Sequence, residues 1–264
     1  MFLFKESGRL GNQLFQYAAL KTLSKSDQRL ILYGFEDLQS AFDGIDAIFV
    51  NSRTTRLKRA IYNRLYLYAE KYLRENIFDR LIESKVEPKG ILSPGLTDRL
   101  TFVEKSFFQS ETFFDQKVIA SLRLKPELLD KAQDTLGSVP EGKVPIFVHI
   151  RRGDYLHWPS RDSPAVLPAS YYWDCMSKIN FKIPEAFWIF VSDDFYYVQD
   201  VFGNVKNSYI SKGSSFEDFA LMTQCAGGIL SASSFAWWAA YFARIKHPDC
   251  VFLAPRYWGG HRKG

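Results

Sequence analysis

Val144 to Ile150 reads Val-Pro-Ile-Phe-Val-His-Ile, an almost unbroken apolar run. Such a run suits a central strand buried on both faces, which requires a parallel sheet with helices on either side. The residues around it keep to that plan. Apolar patterns predict a helix near Ala169 to Ile179, a strand from Ala186 to Val191 and a shorter strand from Val205 to Ile210. A helix from Phe216 to Gln224, a strand from Gly228 to Ser231, a helix from Phe235 to Ile245 and a strand from Cys250 to Leu253 follow. Strands alternating with helices argue a parallel α/β sheet on the Rossmann plan.

The first half starts in the same way. A strand from Met1 to Lys5 leads through the glycine-bearing turn Ser7 to Asn12 into a helix ending near Ser24, with Leu14, Phe15, Ala18, Ala19 and Leu23 as its apolar positions. After the turn Ser26-Asp27-Gln28 a second strand is predicted from Arg29 to Tyr33. Arg53 to about Ser84 is helical in pattern, and Glu87-Pro88-Lys89-Gly90 and Ser93-Pro94-Gly95 break it. A less regular aromatic stretch, Phe102 to Phe114, precedes a helix opened by Leu124-Lys125-Pro126-Glu127. The polar linker Gly137 to Lys143 is the clearest boundary, dividing the chain into domains 1–140 and 141–264.

Charge distribution narrows the partners. The net charge of +5 is mild, and most of the excess lies between Arg53 and Arg74, with a second cluster at Arg262 and Lys263. A nucleic-acid binder carries a larger charge on a contiguous face with a recognisable module, and none is present. A nucleotide diphosphate or an anionic membrane surface accounts for this balance at least as well. The Arg53–Arg74 stretch reads first as an amphipathic helix packing its Tyr and Leu face on the N-terminal domain, with a peripheral contact to an anionic inner membrane as the competing reading. The tryptophans Trp158, Trp173, Trp188, Trp237, Trp238 and Trp258 suit core packing before sugar stacking. Cys175, Cys225 and Cys250 are too few and too dispersed for a disulfide framework or a zinc site. Met1 to Glu6 has neither signal-peptide nor anchor character, and no apolar run spans a bilayer, so the expected location is cytoplasmic.

Four segments carry chemistry. Gly8-Arg9-Leu10-Gly11-Asn12-Gln13 lies where a strand gives way to a helix, so Gly11 and Asn12 sit at a helix N-terminus able to meet an anion. His149-Ile150-Arg151-Arg152-Gly153-Asp154-Tyr155 follows the buried strand at its C-terminal edge, where open α/β sheets bind ligands. Adjacent arginines there are hard to explain as packing, because a guanidinium is costly to bury unpaired and its five donors suit phosphate. Ser192-Asp193-Asp194 ends the next strand, and a helix cap or a contact to nucleotide is a better reading than a metal site. Asp218 precedes the segment Ser231-Ala232-Ser233-Ser234-Phe235-Ala236-Trp237-Trp238, where small hydroxyl residues before a helix make another anion site.

In this order, from Gly8 to about Trp258, the four segments resemble the α-1,2-fucosyltransferases of glycosyltransferase family 11. The resemblance implies a GT-B-like fold of two facing Rossmann-type domains, with 1–140 on the acceptor side and 141–264 binding GDP-fucose. It implies an inverting transfer of L-fucose to a galactoside hydroxyl in an α-1,2 linkage, within bacterial O-antigen, capsule or lipopolysaccharide synthesis. No cofactor or metal is required, and the acceptor is a galactose-containing oligosaccharide or lipid-linked glycan. Arg151 and Arg152 would hold the β-phosphate, one of them stabilising the leaving diphosphate. His149 and Asp218 would recognise guanine, and Asp193 would touch the nucleotide. Ser233, Ser234 and the N–H of Phe235 would complete the phosphate cradle, with Gly11 and Asn12 reaching it from the other domain. Asp154 is the candidate base, with His157 and Glu6 in reserve. A fucosyltransferase of another linkage, such as α-1,6, and a non-catalytic guanine-nucleotide or glycan binder are the alternatives.

Overall fold

Val144–Ile150 is the central strand of a five-stranded sheet in the computed structural model of the chain. The strand order is Ser208–Ile210, Ala186–Ser192, Val144–Ile150, Gly227–Ile229, Val251–Leu253, and every pairing is parallel. Residues 2–24, 28–72, 101–102 and 107–257 are described.

Period-two alternation distributes the central strand between the two faces. Ile146, Val148 and Ile150 join one core with Tyr172, Met176 and Ile179 of the helix Ala169–Lys182 and with Val198 and Phe202 of the helix Phe195–Phe202. Phe147 and His149 therefore point to the opposite face. There Phe147 meets Phe252 at 5.9 Å between ring centroids, and His149 meets Phe235, the second residue of the helix Ser234–Lys246. Burying each large apolar side chain stabilises by about 1.5–3 kcal/mol. This sheet is the rigid platform for the loops that follow its strands.

The chain divides after Leu124, into Met1–Leu124 and Lys125–Gly264. That corrects the boundary expected at 140/141. The helix Pro126–Gly137 buries Leu128 and Ala132 and packs on the helix Ser215–Gln224, and Lys131 forms an ion pair with Glu217. Polar linker composition marks Gly137 to Lys143 as a loop, but the loop connects two elements of the same unit.

In the first unit the strands run Ile48–Val50, Leu30–Tyr33, Phe2–Lys5, Thr101–Phe102, again all parallel. Leu3, Ile31, Tyr33, Val50 and Ala69 form one core, against which Tyr62, Leu65 and Tyr66 of the helix Arg56–Tyr72 pack. The short helix Glu36–Ala41, the strand Ile48–Val50 and the helix Phe195–Phe202 were not apparent from sequence pattern, each being too short to show a full period. The expected helical extension to Ser84, the breaks at Glu87–Gly90 and Ser93–Gly95, the turn at Ser26 and Asp27, and Trp258, Arg262 and Lys263 lie outside the described residues.

Candidate active site

Level register makes the site. Val191 pairs with His149 and Ser192 with Ile150, so both strands end together and the Arg151–Arg152 and Asp193–Asp194 pairs emerge side by side. Arg151 pairs with Asp193 at 2.7 Å and also with the exposed Asp154. Arg152 pairs through Nε with Asp194 at 2.9 Å, its backbone N–H donates to Asp193 at 2.8 Å, and its guanidinium carbon lies 3.5 Å from the centroid of the Tyr197 ring. Among the described residues Asp194 is the one carboxylate paired with Arg152, so its terminal nitrogens keep donors for a ligand.

Local backbone explains why the loop can turn here. Gly153 has φ +21°, and a Cβ on it would stand 2.5 Å from the Asp193 carboxylate. Asp194 accepts from the Tyr197 N–H and caps the helix Phe195–Phe202, as a Ser-Asp-Asp strand end suggests. That hydrogen bond, followed by Arg152, holds its carboxyl below the usual range. Asp193, expected to touch the nucleotide, has both oxygens on the arginine loop. The Tyr155 hydroxyl donates to the Ala232 carbonyl at 2.8 Å, tying this loop to the next. His157 lies exposed just past the turn Gly153–Leu156.

His149 is buried, and its Nδ1 shares a 2.7 Å hydrogen bond with Ser231 Oγ. Burial, assisted by the charge on Arg151, pushes its pKa down to about 3, so the imidazole stays neutral. Ser231, which the sequence places among the small hydroxyl residues of an anion site, instead sets the ring that faces Phe235, the two ring centroids being 5.5 Å apart. Ser233 is the N-cap of the helix Ser234–Lys246 and accepts no side-chain capping bond. Ser233, Ser234 and the backbone of Phe235 consequently share that helix start, beside His149.

Asp218 lies on the helix Ser215–Gln224, whose start is fixed by a capping box between Ser214 and Glu217. It is buried and accepts from Ser211 Oγ at 2.5 Å. Burial pushes its pKa up to about 7, against the Ser211 hydrogen bond. A cleft of about 330 Å³, lined by Lys131, Thr135, Tyr209, Lys212 and Gly213, opens beside it. The Tyr172 hydroxyl was also unforeseen: it is buried near Arg152 and Asp193 with no hydrogen-bond partner among the described residues. Nothing in its helical pattern separates it from core tyrosines.

The N-terminal motif divides between scaffold and site. Gly8 has φ +90°, and a Cβ there would stand 2.2 Å from Asn12 Nδ2. Asn12 begins the helix Leu10–Leu23 beside the buried Gly11, and accepts from Gln109 at 2.8 Å. Gln13 is not a ligand donor. Its amide donates to Glu6 and to the Gly8 carbonyl and accepts from the Leu38 N–H at 2.9 Å. Glu6, the reserve base, also accepts from the Phe35 N–H at 2.7 Å and serves the fold. Gln13→Ala is expected to destabilise this unit by about 2–4 kcal/mol, because a buried N–H and a half-buried carboxylate lose their partners. Urea unfolding followed by tryptophan-independent circular dichroism measures it, and a loss below ~1 kcal/mol would contradict the scaffold role.

The chain is built of two units, each holding a parallel sheet, and in the second the Arg151–Arg152 pair stands at the C-terminal edge, where open α/β sheets bind ligands. The chain belongs to glycosyl transferase family 11, whose family model matches residues 1–259. It is 26% identical over 282 residues to the O-antigen biosynthesis glycosyltransferase WbnK of Escherichia coli, covering 96% of this chain and 93% of that protein. It is 26% identical over 270 residues to an Alpha-1,2-colitosyltransferase of Escherichia coli, covering 96% and 90%. The Galactoside alpha-(1,2)-fucosyltransferase 2 of Mus musculus is 25% identical over 270 residues, covering 96% and 71%. Among solved structures, NodZ alpha-1,6-fucosyltransferase soaked with GDP-fucose aligns with a TM-score of 0.61 at 14% identity, covering 99% of this chain and 96% of that one, a likeness of fold.

Proposed function

We propose that this chain transfers L-fucose from GDP-fucose, with inversion, to the 2-hydroxyl of a galactoside in bacterial surface-glycan assembly. The observation that carries the reading is the arginine pair at the sheet edge, aligned by Asp193 and Asp194. Negative charge develops on the diphosphate as the bond to fucose breaks, and preorganised guanidinium donors stabilise that charge more than the ground state. Arg152 is assigned to the leaving β-phosphate and Arg151 to its neighbouring oxygens. Ser233, Ser234 and the Phe235 N–H form the rest of the cradle at the helix start. Neutral His149 and ionised Asp218 are assigned to guanine, the carboxylate accepting from its N1–H and exocyclic amine.

The second unit, Lys125–Gly264, is accordingly the donor side, and the first unit carries acceptor contacts together with Gly11 and Asn12. Asp154 is the carboxylate assigned to the acceptor proton, and the departing diphosphate is the alternative acceptor. The α-1,2 linkage is the element shared by the activities for which the colitosyltransferase and the mouse relative are named. The likeness to WbnK supports the bacterial glycan context.

Incubation with GDP-fucose and lactose tests the reading. Release of GDP with a product cleaved by an α-1,2-specific fucosidase is expected, and turnover should persist in EDTA because the arginines supply the positive charge. A product resistant to that fucosidase would assign another linkage. GDP binding without turnover on a broad acceptor panel would leave a nucleotide-binding protein, and loss of activity in EDTA would refute the metal-free assignment.

A further inference from the structure

The helix Arg56–Tyr72 has two apolar faces, and the fold uses one. Tyr62, Leu65, Tyr66 and Ala69 pack on the sheet of the first unit. On the other side Leu57 is 75% exposed, Ile61 58%, Leu67 62% and Tyr68 58%. At 3.6 residues per turn, Leu57, Ile61, Arg64, Tyr68 and Lys71 fall on one continuous outer stripe, with Leu67 beside it. Basic and large apolar side chains thus share a single face. Arg56 and Lys58 are exposed as well, and no acidic residue occurs between Arg53 and Ala69.

We propose that this outer face seats the protein on an anionic phospholipid bilayer. Leucine, isoleucine and tyrosine at that spacing reach the boundary between headgroups and acyl chains, while Arg64 on the stripe and the exposed Arg56 and Lys58 flanking it extend their charged ends to lipid phosphate. A solvated helix would place its charges outward and its leucines inward. A helix–helix contact with a second copy would juxtapose the exposed Arg56, Lys58 and Arg64 with a partner's like charges, which anionic lipid relieves. No helix among the described residues is long and apolar enough to cross a membrane, so the contact is peripheral. A cleft of about 370 Å³ lined by Lys5, Asn63, Tyr66 and Glu70 opens at the end of the Phe2–Lys5 strand along the same helix. Seating would bring surface-borne glycans to this sheet edge.

Flotation of the full chain with phosphatidylglycerol vesicles or phosphatidylcholine vesicles at physiological salt tests it. The protein is expected to float with the anionic vesicles and to remain at the bottom with the zwitterionic ones. Each lysine or arginine near such a surface contributes on the order of fivefold in partitioning. Arg56→Glu with Arg64→Glu should therefore lower binding by more than tenfold, and Ile61→Asp by about tenfold, with unfolding temperature and turnover of a soluble acceptor unchanged. Unchanged unfolding temperature separates this from a folding defect, and vesicle binding is read independently of the donor or linkage. Failure of the wild-type chain to float, or flotation of the variants like wild type, would overturn it. So would a stable dimer that Ile61→Asp dissociates, which would assign the face to a second copy.

Discussion

Arg152→Ala is expected to lower kcat by about 10²–10³-fold with little change in unfolding temperature. The side chain pairs through Nε with Asp194 and lies over the Tyr197 ring, an arrangement that orients the guanidinium without burying it in the core. Asp194 keeps its capping bond to the Tyr197 N–H when the guanidinium is removed, so the helix Phe195–Phe202 retains its start. What disappears is charge aimed at the leaving diphosphate. Arg152→Lys should recover little of the activity, because an ammonium has neither the planar fork nor the stacking surface of a guanidinium. Arg151→Ala is a poorer probe, since it strips Asp154 of its partner and leaves Asp193 with the Arg152 N–H alone. Steady-state rates with saturating GDP-fucose, together with thermal unfolding of each variant, measure the effect. Near-normal kcat in Arg152→Ala would remove the leaving-group role.

The second large effect concerns Asp218 and pH. Its carboxyl, lifted to about 7 by burial, is largely protonated in the ligand-free protein below neutrality. The guanine contact proposed for this group needs the ionised form, since the N1–H and exocyclic amine of the base are both donors. Affinity for GDP should accordingly rise as pH rises toward about 7, approaching tenfold per pH unit below it and levelling above. Asp218→Asn should flatten that profile and weaken GDP binding by about 10²–10³-fold, the scale for losing a buried charged acceptor. Stability runs the other way. A folded pKa raised above the unfolded value means the group's favourable contribution is complete at acid pH and is lost as pH climbs through the folded pKa. Asp218→Asn should thus make the free protein relatively more stable above pH 7. Calorimetric GDP titrations across pH, paired with unfolding scans, check both signs. A flat wild-type binding profile would detach Asp218 from the base.

These two residues also mark where sequence legibility ends. The arginine pair was visible because a guanidinium after a fully apolar strand has no packing explanation. Its alignment was not, since the carboxylates that hold it lie some forty residues on and reach it only through strand pairing. Asp218 carried its chemistry in the resemblance to the family, while its raised pKa comes from burial, opposed by the Ser211 hydrogen bond, and no local pattern encodes either. Gln13, an amide at a helix start, stands by its place in the chain where a ligand donor could. Packing gave it to Glu6 and Leu38 instead. The helix Arg56–Tyr72 shows the same division. Its composition announced an amphipathic helix, and only the fold could say which apolar residues were covered.

By itself the sequence determined the parallel α/β class, the strand-end positions of His149, Arg151, Arg152 and Asp194, and the family, because these rest on periodicity and on short motifs read in order. The tertiary structure decided the unit boundary after Leu124, the partners of each arginine, the neutral state of His149 and the scaffold role of Gln13. Those properties are sums over neighbours distant in the chain: burial, register and the distance between charges exist only once strands have paired and helices have covered them.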